Sequence, residues 1–503
     1  MRFQLGTESP LTHQADLLAL VFFDDAPSET PLFVTLDKAL GGALAPIALA
    51  EQWKGKKKQA LSLYTLGKLP AGRLVLVGAG PRKDFSAADL RGVVAQVCKI
   101  ASAAGSKRVA VVAPQHEAAP PDRAAHFVAE GALLTAYRFN KYLAEDKRKP
   151  SPIEEVNLLF DPQAVDGPSL EALARVVARA ERVAAGVCLA RDLVNEPAEV
   201  ATPSHLARVA TELAQRSGLE VKVFDRAGCE ELKMGMFLGV ARGTDEEPKL
   251  IHLVYRPVGG AARRKIAIVG KGVTFDSGGL SLKPSASMED MKTDMAGAAA
   301  VIATMGVLGE IGCPYEVHAV AACTENMLSQ KSYKLGDVLV AKNGKTIEIN
   351  NTDAEGRLTL GDAFTYVIEA AKPDELIDVA TLTGACIVAL GPHTAGVMGN
   401  DQALVDRVVG AARAAGEDVW PLPLPERLRD QLKSDVADMR NTGDRMGGAL
   451  TAGIFLREFV GETPWVHIDI AGPSAATKEF GHISVGGTGF AVATLVEYLV
   501  PRV

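Results

Sequence analysis

Cysteine is scarce in this chain and scattered. The six cysteines, at 98, 188, 229, 313, 323 and 386, show no close pairing and fall in apolar surroundings, which argues against a disulfide framework and suits reduced core thiols in a cytoplasm. A basic excess is missing too: the formal charge of -7 and pI near 5.8 give no overall drive toward nucleic acid or an anionic membrane. No HExxH spacing occurs, so a mononuclear zincin is excluded. His252, His318 and His467 each sit inside strand-like apolar runs, where a satisfied core histidine is expected rather than a ligand. GAGPRK at 78–83 lacks the spacing and the Lys-Ser/Thr of a phosphate loop and reads as a strand-ending turn. Sustained lipid-like hydrophobicity is also absent. The longest uncharged stretch, Val379 to Asn400, contains Thr381, Thr383, Pro392 and His393 and is punctuated by glycines, so a buried strand and loop are expected there. The amino terminus has Glu8, His13 and Asp16 ahead of its apolar run and no evident cleavage site; it is expected to be a first strand, not a signal peptide. Lys54, Lys56, Lys57 and Lys58, and then Lys147, Arg148 and Lys149, form basic clusters short enough to be solvated loops.

At 503 residues the chain exceeds the usual limit of one core, so at least two domains are expected. Residues 1–165 alternate strand-like pieces with Ala-rich helical stretches, an α/β pattern. From Pro168 to Asn195, apolar Leu170, Leu173, Val177, Ala180, Ala184 and Val187 recur at three- and four-residue steps, predicting one long connecting helix over 166–195. Across 196–503, strand-like Glu220–Phe224, Lys249–Tyr255, Ile266–Val269, Glu316–Ala322, Leu376–Ala380 and Trp465–Ile470 alternate with helices, predicting a larger doubly wound α/β domain.

The chemistry concentrates in KIAIVGKGVTFDSGGLSLKPSASMEDMKTDMAG at 265–297 and TIEINNTDAEGRL at 346–358. The first reads as a buried strand ending in glycines, a loop carrying Lys271, Asp276 and Lys283, and Asp294 just before an Ala-rich buried helix, where a carboxylate is electrostatically favoured. The second repeats the device, with Asp353 and Glu355 in a loop ahead of a helix that carries Leu360, Ala363, Phe364, Val367, Ile368 and Ala371 and stops before Pro373. Several carboxylates at one point would repel and take up protons, whereas divalent cations would neutralise them. Hard oxygen ligands fit Mg or Mn well and Zn acceptably.

NTDAEGRL at 351–358, GKGVTFDSGG with Lys283 and Asp294, VNEPAEVATP at 194–203, ATLTGA at 380–385, DMRNTG at 438–443 and WVHIDIAG at 465–472 together closely resemble the leucyl aminopeptidase, or cytosol aminopeptidase, family of dinuclear-metal exopeptidases. The resemblance implies a smaller amino-terminal α/β, macro-like domain and a larger catalytic α/β domain with a mixed sheet flanked by helices. It implies two divalent metal ions per subunit, Mn or Zn with Mg as a further option: one held by Asp276, Asp353 and Glu355, the other by Lys271, Asp276, Asp294 and Glu355. Lys283 would stabilise the oxyanion, and Arg357 would hold a bicarbonate serving as general base. Met291, Thr381, Gly384 and Ala385 match positions near the substrate's first side chain, where an apolar wall would favour Leu-like residues. Short peptides as substrates, a homohexamer with enclosed sites and a cytoplasmic location are implied in the same way. Neither a membrane nor nucleic acid is indicated.

Two other readings stand beside this one. Dinuclear carboxylate sites also hydrolyse phosphate esters, but the two lysines and NTDAEGRL argue against that here. A fold-retaining non-catalytic assembly or nucleic-acid-binding protein is the other, and the intact set of charged positions disfavours it.

Overall fold

Leu17 to Phe23 carry no charge and are buried throughout, as a strand covered on both faces must be. In the computed structural model, which describes residues 1–148, 150–259 and 262–502, this segment lies inside a six-stranded sheet. The strands are β1 (Arg2–Gly6), β2 (Leu17–Phe23), β3 (Ala60–Tyr64), β4 (Arg73–Gly80), β5 (Arg108–Val112) and β6 (Glu155–Leu159), in the order β1-β6-β5-β2-β4-β3. Only β3 runs antiparallel to its neighbour. Alternation along β2 divides the core. Leu17, Ala19, Val21 and Phe23 join Leu90, Val94 and Val97 of the helix Asp89–Ala103, while Leu18, Leu20 and Phe22 join Phe33, Leu36, Leu44 and Trp53 on the other face. The turn after β4 is a strand end, as its letters suggest. Of the two basic clusters, Lys57 pairs with Asp89 at 2.5 Å and Arg148 donates to backbone carbonyls, while Lys149 lies outside the described residues.

This first compact unit comprises Met1–Ala184 together with Lys478–Ser484. The long helix is a single 29-residue element, Gly167–Asn195, and the division between units falls inside it, after Ala184. Nothing in the composition near residue 480 marks that segment as belonging with the amino-terminal part.

The second unit is built on an eight-stranded mixed sheet. The strands of this unit that enter that sheet or the small sheet beside it are β7 (Glu220–Phe224), β8 (Lys249–Tyr255), β9 (Lys265–Asp276), β10 (Glu316–Asn326), β11 (Val338–Val340), β12 (Thr346–Glu348), β13 (Glu375–Ala380), β14 (Ala395–Gly399), β15 (Val419–Pro421), β16 (Met439–Arg440) and β17 (Trp465–Asp469). The large sheet has the order β15-β14-β17-β13-β9-β10-β8-β7, and β11-β12-β16 form a small sheet of their own. The central strands β17, β13, β9 and β10 are parallel, and β8 and β14 join antiparallel on either side.

The helix Ala296–Ile311 is buried along nearly its whole length, which explains its lack of a polar face. Among the described residues, Ser285–Ile311 is the one stretch long and apolar enough to cross a membrane, and 83% of its apolar window is buried in this core.

Two local expectations are corrected. β9 does not end at its glycines: it continues through Gly270 and Gly272 to Asp276, so Lys271 and Asp276 are strand residues and only Lys283 lies in the loop. Those glycines serve close packing instead of a turn, for a Cβ on Gly270 would lie 2.5 Å from Gly297 O at the start of the Ala296–Ile311 helix. Val379 to Asn400 contains a helix, Gly384–Leu390, between β13 and β14, where a strand and loop were expected. Thr383 caps that helix by accepting from Cys386 N at 3.1 Å.

Candidate metal centre

Side chains on a strand alternate between faces, so Lys271 and Asp276, five residues apart, should point to opposite sides of the sheet. A β-bulge corrects the parity. Val273 pairs with Thr324 and Phe275 with Glu325, leaving Thr274 as an extra residue on β9. Both charged side chains thereby reach the face on which the helix Gly356–Ala371 begins. Gly356 is needed there, because a Cβ would meet the Lys271 side chain at 2.7 Å.

The charged groups converge. Lys271 Nζ lies 2.7 Å from Asp294 Oδ2 and 2.8 Å from Glu355 Oε1, and it donates to Thr381 O at 3.0 Å. Lys283 Nζ lies 2.8 Å from Asp276 Oδ2 and 2.5 Å from Asp353 Oδ1. Asp276, Asp353 and Glu355 each bring a carboxylate oxygen within 4.8 Å of the others. All five expected ligand residues and Lys283 therefore form one cluster. Asp294 does not cap the helix that follows; its carboxylate accepts from the Thr381 hydroxyl at 2.8 Å and faces Lys271 instead.

Turns hold the cluster from both sides. Gly278 and Gly279 adopt φ of 84° and 62°, a left-handed pair that folds the chain back after Asp276. Thr352 reciprocates, with its hydroxyl donating to Gly278 O at 2.6 Å and accepting from Ser281 N at 2.8 Å. Asn441 accepts from Asn350 N at 3.0 Å and donates to Asn351 O at 2.6 Å, fixing the loop that carries Asp353 and Glu355.

The electrostatics show an excess of negative charge. Burial, then repulsion from Glu355 and Asp276, holds Asp294 well above the usual carboxylate range despite Lys271. Asp276 is raised by burial and by Glu355 against the two lysines, and Asp353 by burial and by Asp276. Burial alone would push the two ammonium groups down. The carboxylates win, Asp294 foremost at Lys271 and Asp276 foremost at Lys283, and hold both above the usual lysine range. Four carboxylates against two ammonium groups leave room for added positive charge. Glu355 Oε2 is buried without a hydrogen-bond partner, as a ligand oxygen awaiting a cation would be. The donor set, hard oxygens with one amine, fits divalent cations.

Arg357 sits in the first turn of its helix, donates to Asn441 O at 2.8 Å, and is pushed down to about 10 by burial. Its Nε is buried and unpartnered. Met291 lies half-buried in a short turn ahead of Asp294, and Gly384 and Ala385 open the helix Gly384–Leu390. The histidines stay in the core: His252 bonds Tyr366 at 2.9 Å and His318 at 3.0 Å, and His467 bonds Asp378 at 2.7 Å. Sequence reasoning missed Asn326, Tyr333, Thr352 and Asn441 as supports of the cluster. The available signal was a polar residue closing an apolar strand, as Asn326 closes β10.

Known proteins resemble this chain over nearly its whole length. The pattern of the cytosol aminopeptidase family, catalytic domain, matches residues 188–496, and that of the same family's N-terminal domain matches residues 20–146. A probable cytosol aminopeptidase of Cyanothece sp. is 44% identical over 501 residues, covering 99% of this chain and 100% of the relative. Another, from Geobacter sp. strain M21, is 44% identical over 499 residues and covers 99% of each. Among solved structures, a lysine-to-glutamate mutant of tomato leucine aminopeptidase superposes with a TM-score of 0.90 at 37% identity, covering 100% of this chain and 97% of that one. The bottromycin maturation enzyme BotP in complex with Mn gives 0.83 at 34% identity, covering 96% and 99%.

Proposed function

The chain belongs to the cytosol aminopeptidase family, metal-dependent hydrolases that release amino-terminal residues from peptides, and we propose that it does so through two divalent cations held in the Lys271–Asp276–Asp294–Asp353–Glu355 cluster. The observation that carries this reading is the convergence of four carboxylates whose charge the two lysines only half compensate.

Asp276, Asp353 and Glu355 would hold one cation; Lys271, Asp276, Asp294 and Glu355 would hold the other, with Asp276 and Glu355 shared. Mn is favoured by the Mn complex of BotP, and Zn and Mg suit the same donors. Bound there, the cations supply an activated water and polarise the scissile carbonyl. Lys271 ligates only as a free amine, so its proton must leave under the field of the dications, reversing the effect of the carboxylates. Lys283 remains an ammonium and donates to the oxyanion as it develops, an interaction worth a few kcal/mol in such sites. Arg357 would bind a small anion, with bicarbonate as general base, and its buried, unpartnered Nε supports that reading. Met291, Thr381, Gly384 and Ala385 border the place for the first side chain, where Leu-like residues are preferred. Short peptides are the substrates, and the working form is a cytosolic homohexamer.

The test is a pair of short peptides led by Leu, one with a free amine and one acetylated, followed by mass spectrometry beside p-nitrophenyl phosphate. Stepwise loss of residues from the free peptide alone supports the reading. Cleavage of the acetylated peptide, or phosphate release without peptide cleavage, defeats it.

A further inference from the structure

β9 and β10 run parallel, and beyond the bulge Asp276 and Asn326 are paired in register, so their side chains leave the sheet on the same face. Asn326 is fully buried. Its Nδ2 donates to Asp276 Oδ1 at 2.8 Å and to Thr352 O at 3.0 Å. A carbonyl oxygen and an ionised carboxylate only accept, so the amide must present its NH2 edge here; rotated the other way, its oxygen would face two acceptors. Gly278 N donates to the same Asp276 oxygen at 2.8 Å. Oδ1 therefore takes two N–H bonds, and Oδ2, 2.8 Å from Lys283 Nζ, is the oxygen turned to the cluster.

We propose that Asn326 is a positioning residue of the metal centre, holding the Asp276 carboxylate by one oxygen so that the other alone is presented to the cations; this rests on the metal-centre reading above. The bulge at Thr274 and the amide of Asn326 act together, the first turning Asp276 to the correct face and the second fixing its rotation. Other duties do not require an amide at this position. Ser277 takes the backbone carbonyl of Asn326 through its hydroxyl at 2.7 Å, and Thr352 O keeps the Tyr333 hydroxyl at 2.7 Å. Loss of the amide falls on Asp276.

The experiment uses chelator-stripped full-length protein with Asn326→Ala and Asn326→Leu beside the parent, the second variant keeping the branched shape while removing the donor. Mn2+ binding is read by calorimetry and by the electron paramagnetic resonance of free Mn2+, and folding in chelator by circular dichroism. Both variants are expected to bind Mn2+ roughly tenfold to hundredfold more weakly, with kcat for Leu-p-nitroanilide reduced at saturating Mn2+ and KM little changed. A lower melting temperature with parental Mn2+ affinity would make Asn326 merely structural and overturn the proposal. A parent that takes up no Mn2+ would instead defeat the metal-centre reading, and this inference with it.

Discussion

Lys271 Nζ lies 2.7 Å from Asp294 Oδ2, and the two side chains are 4% and 7% exposed. Removing one partner of a buried pair leaves the other charge uncompensated, which costs about 3–5 kcal/mol. Lys271→Met, close in length, is expected to lower stability by about that amount in chelator. Added Mn2+ should narrow the deficit, because a dication neutralises the same carboxylates. Thermal melts of parent and variant, with and without Mn2+, measure both effects.

Thr381 gives its hydroxyl to the other oxygen of Asp294 at 2.8 Å. Thr381→Val keeps the shape and loses the donor, so Mn2+ affinity and kcat should fall roughly tenfold or more, as for other partners of metal ligands. Thr381→Ser keeps the donor and should retain most of both. Loss in Thr381→Ser with Thr381→Val spared would point to the methyl group instead.

Lys283 bridges Asp276 and Asp353. If its ammonium stabilises the oxyanion, Lys283→Met should lower kcat roughly hundredfold to thousandfold and change KM far less, since the interaction strengthens only in the transition state. Steady-state kinetics on Leu-p-nitroanilide separate the two parameters.

Asp362 is buried on the Gly356–Ala371 helix and accepts from Met236 N, Phe237 N and Lys342 N at 2.9, 3.0 and 2.8 Å. Burial pushes it up to about 7 from the ordinary value of 3.8. Folding therefore takes up a proton between those values. The associated stability is fully present below the unfolded value and is lost as pH rises through about 7. Asp362→Asn should be less stable by about 1–3 kcal/mol, since an amide leaves one of these N–H groups without its acceptor. Its stability should also decline less steeply with pH between about 4 and 7 than the parent's. Denaturant titrations at several pH values test the sign.

Much of the site was legible because its carboxylates travel with turn glycines and apolar flanks. Asp353 and Glu355 precede a helix whose apolar spacing is plain, and Asp276 precedes the Gly278–Gly279 reversal. What the letters hid is geometric. A one-residue bulge at Thr274 leaves no trace in an apolar run, yet it decides which face Asp276 occupies. Gly270 reads as a turn residue and instead lets a helix start against the strand. Asn326 supports Asp276 from 50 positions away, a contact made by strand order alone. Likewise, Lys478–Ser484 joins the first unit with no shift in composition to announce it.

The most direct measurement is hydrolysis of Leu-p-nitroanilide by protein stripped with chelator and then given Mn2+, Zn2+ or Mg2+, with Asp276→Ala alongside. Activity that disappears on stripping, returns with metal and is lost in the variant is the predicted result. Full activity in chelator, or an Asp276→Ala variant as active as the parent, would contradict it.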